Sequence, residues 1–349
     1  MRLLLAFPAA VVAASVLCLG GCSSENTSAP PPAPVDWHAF DLPHGPVAAP
    51  VGPTPRERAA ADSYAAAIGS PDMAPLGAML DADVHFAFPG LPDARGKPAV
   101  LRAHQALFGA FDKQALAITR VWRTDGELTL AWTMSGLQSR EWMGVAPTNR
   151  PVSFRGVTLL FTKDDGTLTD IHVYFDAAVV RTQLGAGPRE LAMAGLVPPP
   201  APSGPPQVFD QAHSPEETRN VATARSTLDA LEKNDEAAYL AAMTDDVVIE
   251  TLERPLPMRG KEDARALFRQ MHKSIGQLDT TLDNAWGVGS FAIVEYFISG
   301  EQIGPVGWVP PQRDRAMRIE VVDVMELRDG KVDHVWRYGN PGQILAGAR

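Results

Sequence analysis

Cysteine is nearly absent from this chain: Cys18 and Cys22 are the only two. A disulfide framework is thereby excluded, and so is a zinc site built on several thiolates, so burial of apolar surface has to carry stability. Cations are scarce too. There are 31 Lys and Arg against 41 Asp and Glu, a formal net charge of −10, and no basic cluster offsets the excess. A nucleic-acid surface is therefore not expected. Also missing are a nucleophile elbow, a phosphate-binding glycine loop and clustered histidine ligands. Their absence argues against serine hydrolysis, nucleotide chemistry and a metal site.

What is present begins with a targeting pattern. Arg2 supplies a positive charge, Leu3 to Leu19 is apolar, and small residues follow. This run is too short and wrongly flanked for a membrane span and reads as a secretory signal over 1–21. Leu19-Gly20-Gly21-Cys22 resembles the bacterial lipobox, which implies cleavage before Cys22 and lipid on its sulfur. Ser23 after it resembles the pattern sorted to an outer membrane. The expected location is the bacterial cell envelope, with the protein lipid-anchored and facing the periplasm or the surface. Residues 22–55 are rich in Ser, Ala and Pro and read as an extended tether; 185–215, with Val197-Pro198-Pro199-Pro200, read as a semi-rigid linker.

Between these segments the sequence repeats itself. Arg95 to Tyr174 reappears 164 positions later as Arg259 to Tyr338, with Arg-Gly-Lys, Trp122/Trp286, Ser135-Gly136/Ser299-Gly300, Val157/Val321, Asp165-Gly166/Asp329-Gly330 and Tyr174/Tyr338 matched without a gap. Each copy is long enough for its own core, so the chain is a duplicated domain, with copies over 56–184 and 216–349.

Each copy opens with helical periodicity, such as Val221, Ala224, Leu228 and Leu231, and Asp235 is placed to cap a short second helix. A strand follows at Val84–Phe88 and Val247–Thr251, then a helix at Pro98–Phe111 and Glu262–Ile275. The remainder alternates as strands with a tight Asp-Gly turn before the last one. Helices first and strands after give an α+β domain.

The run Gly144-Val145-Ala146-Pro147-Thr148-Asn149-Arg150-Pro151-Val152 and the ending His172-Val173-Tyr174-Phe175-Asp176 resemble the SnoaL-like polyketide (ester) cyclases of the nuclear transport factor 2-like superfamily. So does Leu228–Asp235 followed by Thr244-Asp245-Asp246-Val247. The resemblance implies two cystatin-like cones, each a curved antiparallel sheet with N-terminal helices on its concave face. It also implies an intrachain pseudo-dimer, because the superfamily commonly pairs through outer sheet faces. Ile171, Val173 and Phe175 would then be the strand residues in need of cover.

SnoaL-like cyclases use an acidic residue near the end of the last strand as acid/base in ring closure, which by resemblance points to Asp176. Such a carboxylate needs an apolar pocket that raises its pKa toward neutrality. Strand alternation puts His172 on the face of Asp176, and His85 approaches from the first strand. Tyr64, Trp122, Trp132 and Tyr174 are the expected pocket lining in the first copy, with Trp336, Tyr338 and Asn340 in the second. His104 is expected at the surface. In the second copy Trp336 and Asn340 replace His172 and Asp176, so that copy reads as non-catalytic. Its strand charges Glu295, Glu320 and Asp323 read as edge salt bridges, for instance to Arg318 or Arg337. Two functions stay open: an envelope module binding a small hydrophobic molecule or an envelope protein, and a cofactor-free cyclase or isomerase acting on a carbonyl compound through copy one.

Overall fold

A computed structural model describes residues 63–68, 72–196, 198–200, 202, 204–312 and 315–346. The signal, Cys22 and the tether lie outside the described residues. Among the described residues no helix is long and apolar enough to cross a membrane.

Copy one runs α1 (63–68), α2 (Ala74–Met79), β1 (Leu80–Ala87), β2 (Ala94–Arg95), α3 (Lys97–Phe108), β3 (Phe111–Arg123), β4 (Glu127–Gln138), β5 (Pro151–Thr162), β6 (Leu168–Tyr174) and α4 (Ala177–Gln183). The linker holds α5 (Arg189–Ala194) and β7 (Gln207–Asp210). Copy two repeats the plan with α6 (Pro215–Glu232), α7 (Glu236–Ala241), β8 (Met243–Thr251), β9 (Met258–Arg259), α8 (Gly260–Ser274), β10 (Ile275–Val288), β11 (Phe291–Gln302), β12 (Arg315–Arg328), β13 (Lys331–Gly339) and α9 (Gln343–Ala346). Local chemistry sets the ends. Ser214 and Glu217 form a reciprocal capping box at α6, and Asp235 caps α7 by accepting from the Ala238 amide at 2.9 Å.

The sheets are ordered β2-β1-β6-β5-β4-β3-β7 and β10-β11-β12-β13-β8-β9. They are mixed rather than wholly antiparallel, because the helical crossover after β1 and β8 returns the first strand alongside the last one, parallel to it. The linker is less of a free spacer than its prolines suggest. β7 adds to copy one in parallel with β3, and Ser153 Oγ donates to the Pro199 carbonyl at 2.8 Å.

The constant offset breaks on one strand. Trp132 pairs with Gly156, but Tyr296 pairs with Val321, one residue farther than the offset requires, while Tyr174 and Tyr338 pair with Val157 and Val322. Copy two has one more residue before β12 and one fewer in the following turn. A one-residue slip exchanges the faces of a strand, so the core-facing Thr158 corresponds to Asp323 rather than Val322.

The faces of β6 are the reverse of those expected. Ile171, Val173 and Phe175 lie in copy one's own core, and Tyr174 belongs to a second cluster with Trp122, Val157 and Leu159. That cluster is completed by Trp286, Phe291, Ile293, Val322, Val324 and Tyr338 of copy two. The two sheets therefore bury their outer faces against each other. Polar pairs edge the contact: Arg155 donates to Glu250 at 2.9 Å, and the guanidinium of Arg120 lies 4.1 Å over the Trp336 ring.

Candidate functional site

The residues singled out in sequence separate. His172 faces copy two, where its Nδ1 meets Glu295 Oε1 at 2.7 Å; Tyr174 donates to the same oxygen at 2.6 Å and Asn284 to the other at 2.5 Å. Asp176 is 2% exposed, and its Oδ1 caps α4 by accepting from the Ala178 amide at 2.8 Å. Its Oδ2 accepts from Trp308 Nε1 of copy two at 3.1 Å. His172 and Asp176 thus form no acid/base pair, because each is engaged by the other copy. Asn340, the counterpart of Asp176, reaches back and donates to the Pro89 carbonyl at 2.8 Å. In both copies this position holds the domains together.

Of the expected pocket lining, Trp122, Tyr174 and Tyr338 are interface residues, and Trp336 stacks on His334 with centroids 3.8 Å apart. Tyr64 and Trp132 are interior to copy one, where they fill space rather than line it. His104 is buried, not superficial. Its Nδ1 lies 3.1 Å from the Val100 carbonyl and therefore carries the proton, which leaves Nε2 to accept from Tyr64 at 3.0 Å. Burial lowers its pKa to about 4 and keeps the ring neutral.

Copy one is packed where a cone would be hollow. Trp132 donates to Thr158 at 2.9 Å and touches Phe154 edge-on at 5.9 Å, and Phe154 meets Phe175 at 5.1 Å. The indole fits because residue 156 is glycine: a Cβ there would lie 2.3 Å from the Trp132 ring. A groove of about 330 Å³ lies at the rim of copy one, bordered by Gln105, Phe108, Asp112 and Lys113.

Copy two is hollow. Between α8 and the sheet lies a half-open cavity of about 680 Å³, a size suited to a small organic molecule. Leu267, Met271, Ile298, Ile319 and Val321 make its walls apolar, with Met258 and Arg254 nearer the β8–β9 loop. The counterparts of Trp132, Thr158 and Val173 are Tyr296, Asp323 and Arg337. Arg337 Nε donates to Asp323 Oδ1 at 2.9 Å and Nη2 to Oδ2 at 2.7 Å, while Tyr296 donates to Oδ2 at 3.0 Å. Burial opposes the charge on Arg337, but the Asp323 carboxylate holds its pKa well above the usual guanidinium value. The remaining nitrogen, Nη1, has only the Met271 sulfur at 4.0 Å. The result is a fixed cation on the wall of a cavity that is apolar toward the sheet and also lined by Glu253, Asp263 and Gln270, with N–H capacity left for an oxygen-bearing ligand.

The family comparisons agree with this architecture in both halves. The profile for SnoaL-like polyketide cyclases matches residues 58–184, and that for the SnoaL-like domain matches 224–335. The chain consists of two SnoaL-like domains in tandem. Similar solved structures include a candidate SnoaL-like polyketide cyclase from Jannaschia sp. CCS1, at 23% identity, covering 39% of this chain and 96% of that one with a TM-score of 0.36. An LEH-like epoxide hydrolase from M. tuberculosis is 22% identical, over 38% and 90%, with a TM-score of 0.31. Among curated proteins there is no match.

Sequence reading passed over Arg337 as a cavity residue, and Tyr296 and Asp323 as the groups that hold it in place. The signal was an arginine and an aspartate inside the apolar strands Val335–Tyr338 and Val321–Val324, which reads as an edge pair until register places both inside.

Proposed function

We propose that this protein binds a small, largely apolar molecule in the cavity of the second SnoaL-like domain, through an anionic or carbonyl oxygen that meets Arg337. One observation carries the reading: a cavity of about 680 Å³ is lined by Arg337, whose guanidinium is locked to the buried Asp323 and has donor capacity to spare. The first domain, its interior filled, acts as the supporting partner. The protein is held at the bacterial cell envelope by lipid on Cys22, a location that suits capture or delivery of an apolar molecule.

The alternative, a cofactor-free cyclase or isomerase working through Asp176, draws on a separate observation. Burial raises the Asp176 pKa from 3.8 to about 7, and the residue borders an interdomain cavity of about 300 Å³. Against it, both carboxyl oxygens already accept hydrogen bonds and His172 is committed to Glu295.

The test titrates the full chain with apolar carboxylates and their neutral alcohols. Binding that prefers the carboxylate and weakens roughly ten- to a hundredfold in Arg337→Met supports the proposal, that being the usual range for a hydrogen bond to a charged group. Equal binding of acid and alcohol, unaffected by the substitution, would refute it.

A further inference from the structure

Away from that cavity, on the outer face of copy one beside copy two, two histidines and an aspartate converge. The parallel pairing of β1 with β6 sets His85 opposite Asp170 and Ala87 opposite His172, so all three side chains come to one patch. A potential ligand atom from each lies within 4.8 Å of the other two. The imidazole rings stand edge to face, with centroids 5.8 Å apart. Nothing in the sequence announces this group, because it is assembled by strand pairing rather than by local spacing.

We propose that His85, Asp170 and His172 form a binding site for a divalent first-row transition metal ion at the junction of the two domains. The pattern around the histidines is what distinguishes it from a chance cluster. His85 Nδ1 lies 3.2 Å from Asp170 Oδ1, while its other nitrogen is held by Asp93 at 3.0 Å. In His172, Nδ1 is held by Glu295 at 2.7 Å, which leaves the Nε2 lone pair for a metal. Each histidine therefore carries a carboxylate on the ring nitrogen that would not bind, the arrangement that fixes tautomer and ring direction in metal sites.

The surroundings favour a cation. Exposed Asp283 and half-buried Glu320 both lie within electrostatic reach of His172, adding to the negative charge of Glu295. A bound divalent ion relieves that crowding of acids. Two imidazoles and one carboxylate suit zinc, nickel, cobalt or iron(II) better than magnesium or calcium, which want oxygen alone. Tetrahedral zinc needs its ligand atoms ~3.3 Å apart, so the group must contract on binding. The Asp170 side chain, 40% exposed, has the freedom to do so. Because Glu295 belongs to copy two, an ion here also ties the domains together.

Isothermal titration of the metal-free full chain with Zn²⁺ tests this. The expected result is saturation at one ion per chain and a rise in the melting temperature with zinc. Asp170→Asn and His85→Gln lose both effects, and Asp93→Asn weakens affinity ~10–100-fold, as removal of an orienting carboxylate does. Asp170→Asn is nearly isosteric and half-exposed, so it retains the fold if its melting temperature without zinc matches wild type. No saturation at one equivalent, or equal zinc affinity in wild type and Asp170→Asn, would overturn the site. Binding that vanishes in a His213→Ala control, at an exposed histidine far in sequence from the group, would overturn it as well.

Discussion

Replacing Asp176 by asparagine is expected to change the sign of its effect on stability with pH. The carboxyl is almost wholly buried, and desolvation raises its pKa from 3.8 to about 7, opposed by the Ala178 and Trp308 hydrogen bonds. A raised carboxyl favours the folded state while protonated, so its contribution is complete below pH 3.8 and is lost as pH rises to about 7. At about 1.4 kcal/mol per tenfold change in proton affinity, ionising this group costs the folded protein about 4 kcal/mol by pH 8. Asparagine never incurs that cost. Its carbonyl keeps the helix cap, but its amide nitrogen opposes the Trp308 N–H, a loss of ~1–3 kcal/mol. Asp176→Asn should therefore be less stable than wild type by ~1–3 kcal/mol near pH 4 and more stable by a similar amount near pH 8. Urea unfolding of both proteins at intervals across that range reads the crossover. Part of the slope should survive in the variant. Burial also raises Glu127 to about 7, and Glu295, working against the burial of His172, holds that imidazole above 6.5, a stabilising pair lost at still higher pH. Parallel stability curves for wild type and Asp176→Asn would refute the reasoning.

Other substitutions probe the remaining parts. Arg337→Met leaves Asp323 buried without its cation, and stability should fall by ~3–5 kcal/mol; substituting methionine at Arg337 and leucine at Asp323 together should recover much of that loss in the same unfolding assay. Gly156→Ala drives a methyl into the Trp132 ring and should cost ~1–3 kcal/mol, so an unchanged melting temperature would contradict the filled interior of copy one. Cys22→Ser should move the protein from the membrane to the soluble fraction with its melting temperature unchanged, since no disulfide is available to that sulfur; retention in the membrane without detergent would contradict lipid anchoring.

The duplication, the order of helices and strands, and the cap at Asp235 were legible because they rest on local pattern: period, turn residues and a repeated offset. The faces of the last strand were not. His172-Val173-Tyr174-Phe175 alternates polar-capable and apolar side chains, and alternation says which residues share a face but not which face looks inward. A tyrosine and a histidine on the outer face look polar until a second sheet covers them. The cavity site was hidden for a related reason. The one-residue slip before β12 moves Asp323 to the interior, and an ungapped match between copies places it opposite the interface residue Leu159 instead. The interior of copy one looked open to sequence because Gly156 gives no hint that an indole occupies its missing side chain.

The central claim, that the second domain holds the ligand and the first does not, is tested most directly by methyl NMR of the methionines during titration with an anilinonaphthalene sulfonate, an apolar anion. Met258 and Met271 line the cavity of copy two, and Met134 lies in the packed core of copy one. Saturable shifts at Met258 and Met271, with Met134 unmoved and the effect abolished by Ala266→Phe in the cavity wall, are the predicted result. Shifts centred on Met134, or binding indifferent to Ala266→Phe, would contradict the account.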